Sequence, residues 1–219
     1  MSLLESILLG ILQGLTEFLP ISSSGHLVLA QHFLDINEKG ILLEVVLHLG
    51  TLCAILFYYY IDLKEMIKGL IDGDIKTKKY FFYLAISTFP LLCTGFIFNE
   101  SVESFFVPSV VIVMLLINGI LLGSTFFYLN RSTKQFSFLI ALLIGFTQIF
   151  ALMPGISRSG VTISKALILG IKHIEAAKFS FFLAIPGLLG AGILQILNID
   201  VQTNVVIINL IMGFLSSAL

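Results

Sequence analysis

The sequence predicts an all-α, polytopic membrane protein, and three observations support this fold class. Hydrophobic residues make up 58% of the 219 residues, charged residues make up 11%, and the mean hydropathy is +1.06. A soluble domain carries about 25% charged residues, so this composition excludes an ordinary soluble fold. Apolar stretches recur along the whole chain, and many have the length of roughly 17 to 25 residues that a helix needs to cross a bilayer. We therefore expect a single membrane domain over residues 1–219, and the net charge of -1 gives no sign of a nucleic-acid partner.

The predicted helices follow one another with short polar breaks. Two of the segments are too short to cross a bilayer, and each comes directly after a longer segment and a break, "LPISSSGH" or "MPGISRSG". This pattern is typical of a re-entrant hairpin, in which a helix, a break and a second helix enter and leave the bilayer on one side. The apolar segments are 2–19, 24–35 (short), 41–61, 80–98, 106–129, 136–153, 158–171 (short), 176–197 and 203–219.

The two breaks also resemble each other, which predicts an internal repeat. A shift of 135 residues gives six identities in sixteen positions, and five of them fall on polar residues or glycines. We assign one repeat to about 1–129 and the other to about 136–219; the second has one predicted span fewer, so we expect it to lack its last helix. The paired residues are Gly10 and Gly145, Gln13 and Gln148, Ile21 and Ile156, Ser22 and Ser157, Ser24 and Ser159, and Gly25 and Gly160.

Basic residues predict the orientation of these segments. If both hairpins are re-entrant, nine basic residues fall on one side and only Lys39 falls in the opposite loops, so the basic side is cytoplasmic. Three spans separate the hairpins, so they enter from opposite sides and their tips meet near the midplane, an inverted-topology arrangement. The nine residues are Lys64, Lys68, Lys76, Lys78, Lys79, Arg131, Lys134, Lys172 and Lys178.

The second tip, "PGISRSGVT", predicts a phosphate-binding site. Arginine's planar guanidinium suits phosphate oxygens, and free N–H groups at the start of a helix favour an anion. Arg158 would neutralise charge, while Ser157, Ser159 and Thr162 would donate hydrogen bonds. The alternative is that Arg158 forms a buried ion pair with Glu17 and the serines only cap a helix.

The first tip adds residue types that carry out reactions. Ser22, Ser23 and His26 form a serine and histidine combination suited to nucleophilic attack with acid–base assistance. Glu17 would orient His26 or hold a divalent cation, with Gln13 one turn earlier. Glu44 and His48, four residues apart on one face of the next span, are secondary candidates for contact with the site.

With both motifs in view, the chain resembles the bacterial undecaprenyl pyrophosphate phosphatase family of the bacitracin-resistance type. "QGLTEFLPISSSGH" and "PGISRSGVT" match its two signatures, except that Gln13 stands where the family often has an acidic residue. The resemblance implies hydrolysis of undecaprenyl diphosphate to the monophosphate carrier of peptidoglycan synthesis, with a divalent cation such as Mg²⁺ or Ca²⁺. It also implies the bacterial inner membrane, an active site facing the outer side, and the catalytic and binding roles assigned above to the two motifs.

The sequence leaves open the identity of the nucleophile, the choice between hydrolysis and transport, and the oligomeric state. Ser23 or His26 would attack the terminal phosphorus, or His26 or Glu17 would activate water instead. A lipid-phosphate transporter or flippase using the same phosphate site is the alternative function, because inverted repeats that meet at the midplane are a transporter architecture. A homodimer is a further expectation to be tested.

Overall fold

The structure, a computed structural model, describes residues 1–36, 42–128, 134–197 and 207–219, without the side chains of 99–103 and 194–197. Across these ranges all regular structure is helical, with short 3₁₀ segments at Phe126–Tyr128 and Ile149–Leu152. The α-helices are α1 (Leu3–Glu17), α2 (Ser23–Phe33), α3 (Leu42–Tyr58), α4 (Tyr60–Ile71), α5 (Ile75–Glu103), α6 (Pro108–Thr125), α7 (Phe138–Gln148), α8 (Arg158–Ile168), α9 (His173–Leu197) and α10 (Ile207–Ala218).

Three helical stretches in the described part are long and apolar enough to cross a bilayer: Ile75–Phe98, Pro108–Tyr128 and His173–Ile193. Large apolar side chains cover their outer surfaces; on α6, for example, Leu116 is 65% exposed and Ile120 is 74% exposed. Such contiguous apolar surface is unfavourable in water but matches the hydrocarbon of a bilayer. The chain is therefore a multi-pass membrane protein, as its composition predicts.

Residues 62–79, between the predicted segments 41–61 and 80–98, are predicted as a loop from their five lysines, and this prediction is wrong for most of their length because α4 occupies Tyr60–Ile71. This helix is bent by 72° from α3, and the pair together also has the length and composition of one span. Its charged residues suggest a loop, yet Leu63 and Met66 pack against a buried cluster of the bundle and Lys178 of α9 pairs with Asp62. A short helix with one apolar face is stable in this setting because that face is buried.

Two more boundaries differ from the prediction. Helix α5 begins at Ile75 rather than at residue 80 and continues to Glu103 through a kink at Phe98, whose φ of -111° and ψ of 17° are not helical. Helix α10 has 12 residues in the described range, which is short for a crossing, so the predicted span 203–219 stays a prediction. Lys39 and Arg131 of the topology argument lie outside the described residues.

Two buried clusters hold the bundle together. One joins α1, α2 and α3 through Leu9, Leu27, Leu43 and Leu47, with Leu210 of α10 packed against it. The other joins α5, α7, α8 and α9. Its buried members are Leu84, Ile140, Ile144, Ala166, Leu167, Ile171, Ala176, Phe179, Phe182 and Leu183. Helix α6 packs against both α2 and α8 and so bridges the two halves where the two breaks meet.

Local sequence explains why the chain breaks at these two places. Helix α1 ends at Glu17, and Pro20 disfavours helical backbone at the residue before it. In the second half of the chain, α7 tightens into the 3₁₀ turn Ile149–Leu152 and ends before Pro154 and Gly155, whose φ is +100°. The two breaks touch, because a Cβ added to Gly25 would lie 2.9 Å from the Cα of Gly155.

Candidate active site

A cavity of about 290 Å³ lies where the two breaks meet. Its polar end combines both predicted tips, while α5 and α9 supply an apolar wall. The polar lining residues are Glu17, Ser22, Ser23, Ser24, Glu44, His48, Ser157, Arg158 and Ser159; the apolar wall includes Leu91, Leu92, Gly95, Phe96, Gly187, Leu188, Gly190 and Ala191. The structure thus places most of the predicted site residues around one space.

Glu17 is the centre of the polar end. Its side chain is only 6% exposed, and Nη2 of Arg158 donates to its Oε1 at 2.9 Å. Its other oxygen, Oε2, accepts from Ser23 Oγ at 2.6 Å and from Gln13 Nε2 at 3.1 Å. His48 Nε2 lies 3.5 Å from the same Oε2. The donors Arg158, Ser23 and Gln13 are what a buried carboxylate requires, because an unpaired charge in hydrocarbon costs several kcal/mol.

The alternative interpretation of Arg158 is confirmed in its geometry, since the guanidinium does pair with Glu17. The ion pair with Glu17 engages only one nitrogen of the guanidinium, however. Arg158 is 18% exposed at the cavity, and its Nη1 is buried with no hydrogen-bond partner in the described part of the chain. Arg158 therefore neutralises Glu17 with one nitrogen and keeps a second donor for another acceptor.

The serines cap helices, as the same alternative expects, but they also line the cavity. Ser22 Oγ accepts from Gly25 N at 3.4 Å at the start of α2, and Ser157 Oγ accepts from Gly160 N at 3.0 Å at the start of α8. Both helices therefore present their N-terminal ends to one space. Ser22 has a φ of 68°, in the left-handed region that a serine adopts rarely and that strained functional turns often contain.

Asn118 of α6 fastens the two breaks together. Its Nδ2 donates to the carbonyl oxygen of Pro20 at 3.0 Å, and its Oδ1 accepts from Ser157 N at 3.1 Å. The side chain is 2% exposed. Sequence reasoning missed this residue, because a lone asparagine in an apolar span gives no sign of which backbone groups it will reach.

His26, Thr162 and the possible metal ligand Gln13 do not line the cavity, unlike the other predicted site residues. The ring of His26 is half-buried, and its Nδ1 lies 2.8 Å from the carbonyl oxygen of Ser22. Thr162 is 1% exposed, and its hydroxyl lies 2.9 Å from the carbonyl oxygen of Arg158 and 2.7 Å from Ser180 Oγ. Thr162 supports the backbone of Arg158 in this structure, and direct roles for both residues stay predictions.

His48 and Glu44 contribute more to the site than the sequence indicates. Both line the cavity, and His48 reaches Glu17 and Ser23, each at 3.5 Å from Nε2. Only their spacing of four on one face of a helix pointed to them.

A divalent cation fits this site only in part. Among the described residues, no three His, Cys, Asp or Glu side chains form a metal-binding group. Glu17 supplies one carboxylate, and the Oε1 of Gln13 is a buried oxygen with no hydrogen-bond partner in that part of the chain. Mg²⁺ is commonly held by one or two carboxylates together with substrate phosphates. Glu17 therefore fits a cation that arrives with a phosphate ligand, whereas Gln13 turns its amide nitrogen to Glu17 and its oxygen would join such a site only after the amide turns over. The two residues do not form a complete site for a cation held by protein alone.

Comparison with known proteins gives consistent matches over nearly the whole chain. The family model described as bacitracin resistance protein BacA matches residues 6–219. The undecaprenyl-diphosphatase of Caldicellulosiruptor bescii is 36% identical over 225 residues, covering 100% of this chain and 84% of the relative. Undecaprenyl-diphosphatase 1 of Bacillus licheniformis is 43% identical over 210 residues, covering 90% and 77%. The undecaprenyl-diphosphatase of Bacteroides thetaiotaomicron is 36% identical, covering 99% and 85%. The chain belongs to the bacitracin resistance protein BacA family.

Proposed function

We propose that this protein is a membrane phosphatase that hydrolyses undecaprenyl diphosphate to undecaprenyl phosphate and inorganic phosphate. This activity recycles the lipid carrier of peptidoglycan synthesis and confers bacitracin resistance. The observation that carries the proposal is the placement of Arg158, Glu17 and Ser23 in hydrogen-bonding contact where two helix N-termini meet. The names of the relatives given above agree with it.

The polar end of the cavity suits a diphosphate. Helix N-termini carry partial positive charge and attract anions, and two of them converge here. Nη1 of Arg158, which has no hydrogen-bond partner among the described residues, supplies a charge-assisted donor, which is stronger than a neutral one. Ser157 and Ser159, whose hydroxyls lie 3.0 Å apart, add neutral donors beside it.

The apolar wall suits the isoprenoid tail. Gly187 and Gly190 line the cavity and let α9 and α5 pack closely, since a Cβ added at Gly190 would lie 3.0 Å from Cδ2 of Leu92. In this arrangement the diphosphate lies between the helix N-termini, and the first part of the tail leaves along α5 and α9 towards the bilayer.

Ser23 is the nucleophile that the geometry supports best. Its hydroxyl already donates to Glu17 at 2.6 Å, a good acceptor for its proton. Attack forms a bond from Oγ to the terminal phosphorus and breaks the bond from that phosphorus to the bridging oxygen, so undecaprenyl phosphate leaves. Glu17 takes the Ser23 proton during this attack. Water then hydrolyses the phosphoserine, so one water proton returns to Ser23, inorganic phosphate leaves, and Glu17 releases the proton it took. The alternative, in which Glu17 or His26 activates water directly, gives the same products without a covalent intermediate.

Glu17, with the amide oxygen of Gln13, would hold a divalent cation such as Mg²⁺ or Ca²⁺ that enters with the diphosphate. When bound, the cation would neutralise phosphate charge and polarise the phosphoryl group. Arg158 pairs with the same carboxylate, so protein side chains alone leave little net negative charge for a cation before the diphosphate binds.

The architecture that goes with this function is a pair of inverted repeats with two re-entrant hairpins meeting near the midplane. Equivalent glycines support it: Gly10 packs α1 against α10 of the other repeat, and Gly145 packs α7 against α5. An added Cβ would lie 2.5 Å from the carbonyl oxygen of Gly213 in the first case and 2.7 Å from that of Ser87 in the second.

The two helix caps are equivalent in the same way. Ser22 caps Gly25 N and Ser157 caps Gly160 N, and both pairs are related by the shift of 135 residues. The chain would then be one membrane domain made of repeats at about 1–129 and 136–219.

We place the protein in the bacterial inner membrane with the cavity open to the outer side. The cavity uses the first turns of α3 and the distal parts of α5 and α9. On α5, Leu91 lies about 18 Å along the helix from Lys79, at 1.5 Å per residue. The ends that carry Lys76, Lys78, Lys79, Lys172 and Lys178 are the opposite ones, which the positive-inside rule makes cytoplasmic.

The test is to label the purified protein with undecaprenyl diphosphate carrying ³²P in the terminal position. A labelled intermediate that is lost in Ser23→Ala would support covalent catalysis by Ser23. Phosphate release without any trapped label, and with activity retained in Ser23→Ala, would favour water activation.

A further inference from the structure

Two histidines of this protein have the same local hydrogen bond but different surroundings. Nδ1 of His48 lies 2.7 Å from the carbonyl oxygen of Glu44, and Nδ1 of His26 lies 2.8 Å from that of Ser22. A carbonyl oxygen only accepts, so Nδ1 carries the hydrogen in each ring and Nε2 of the neutral ring is an acceptor. Only His48 lies in the cavity lining.

The backbone bond aims the Nε2 of His48 at the reacting group. Nε2 lies 3.5 Å from Ser23 Oγ, at the outer limit of a hydrogen bond. The single hydroxyl hydrogen of Ser23 is directed at Glu17 Oε2, 2.6 Å away. Ser23 therefore has two acceptors within reach, Glu17 Oε2 and His48 Nε2. The acceptor that its hydroxyl hydrogen faces determines the direction of the Oγ lone pairs.

We propose that His48 is a positioning residue for Ser23, a role that rests on the proposed phosphatase function. As the diphosphate binds, a turn of the hydroxyl hydrogen of Ser23 from Glu17 towards Nε2 of His48 rotates the Oγ lone pairs to face a phosphorus atom bound at Arg158, and Glu17 remains the group that takes the proton when the new bond forms. The carbonyl oxygen of Glu44 fixes the ring orientation that this exchange needs. His48 acts through Ser23 and does not itself contact the transferred phosphoryl group.

Three substitutions separate this role from a structural one. His48→Ala removes both ring nitrogens, while His48→Asn keeps an amide donor near the position of Nδ1 but does not reach Ser23. His48→Gln, with one more methylene, places an acceptor oxygen near the position of Nε2. His32→Asn, on the exposed end of α2, is the control for loss of an imidazole elsewhere.

The measurement is kcat and KM for phosphate release from undecaprenyl diphosphate by the purified full chain, with thermal unfolding in detergent as a check on folding. We expect His48→Ala and His48→Asn to lower kcat about ten-fold, the effect of one lost hydrogen bond, with KM within two-fold of wild type. We expect His48→Gln to return kcat to within three-fold of wild type.

Two results would overturn the proposal: His48→Asn as active as His48→Gln, or His48→Ala with more than half of the wild-type kcat. If His48→Ala does not fold, the comparison of Asn with Gln decides alone. Failure of the proposed function looks different, because the wild-type chain would then release no phosphate at all.

Discussion

Replacing Arg158 with lysine separates the two tasks that the guanidinium performs. In the structure, Nη2 binds Glu17 at 2.9 Å, while the buried Nη1 has no hydrogen-bond partner among the described residues. Lysine keeps a positive charge for Glu17 but has one ammonium group, which cannot also occupy the position of Nη1. Arg158→Lys should therefore fold and yet bind the diphosphate poorly.

The size of the effect follows from the lost donor. A hydrogen bond to a charged group contributes about 1.5 to 3 kcal/mol, which corresponds to about 10- to 150-fold in kcat/KM at 1.36 kcal/mol per factor of ten. Arg158→Ala should in addition leave the buried carboxylate of Glu17 unpaired, at a cost to stability of about 3 to 5 kcal/mol.

The assay is phosphate release from undecaprenyl diphosphate in detergent, together with denaturant unfolding of each variant. Lys165→Gln, on the same helix α8 but outside the cavity lining, is the charge-loss control and should keep wild-type kcat/KM. Activity of Arg158→Lys within two-fold of wild type would refute the assignment of Nη1 to the diphosphate.

Three further substitutions test other parts of the site. Gly190→Val should raise KM at least five-fold because the added side chain fills the cavity at the apolar wall, at an overpacking cost of about 1 to 3 kcal/mol in stability. The control is Gly119→Ala, where an added Cβ meets nothing within 4 Å. Equal KM values for the two variants would exclude this wall as the path of the lipid tail. Asn118→Leu should lower the unfolding free energy by about 2 to 6 kcal/mol, because it leaves Pro20 O and Ser157 N without their partner. A loss below about 1 kcal/mol would show that the two breaks stay together without the Asn118 hydrogen bonds. Thr162→Val should lower stability by about 1 to 3 kcal/mol with KM unchanged, whereas a large rise in KM would indicate direct phosphate contact.

The breaks and the caps were predictable from sequence because they depend on neighbouring residues. Proline disfavours helical backbone at the residue before it, and a serine three residues before a glycine amide can cap the next helix wherever that helix packs. Ser22 and Ser157 illustrate this, since both were identified from their motifs and both cap and line the site.

Tertiary contacts were not predictable in the same way. His48 and Asn118 reach the site from α3 and α6, which lie far along the chain from the residues they touch, and one sequence does not record that proximity. His26 shows the reverse case: it is adjacent to the serines in sequence, but the first turn of α2 directs its Nδ1 to the Ser22 carbonyl and the ring does not line the cavity. Helix α4 was missed because its charges resemble a loop, and only the packing of Leu63 and Met66 shows why it is helical.

The most direct test of the central claim is inorganic phosphate release from undecaprenyl diphosphate by the purified chain, with and without divalent cations. We expect release that a chelator stops, that Mg²⁺ or Ca²⁺ restores, and that Glu17→Gln abolishes without unfolding the protein. No release from well-folded wild-type protein in the presence of cations would contradict the phosphatase function and favour lipid-phosphate transport.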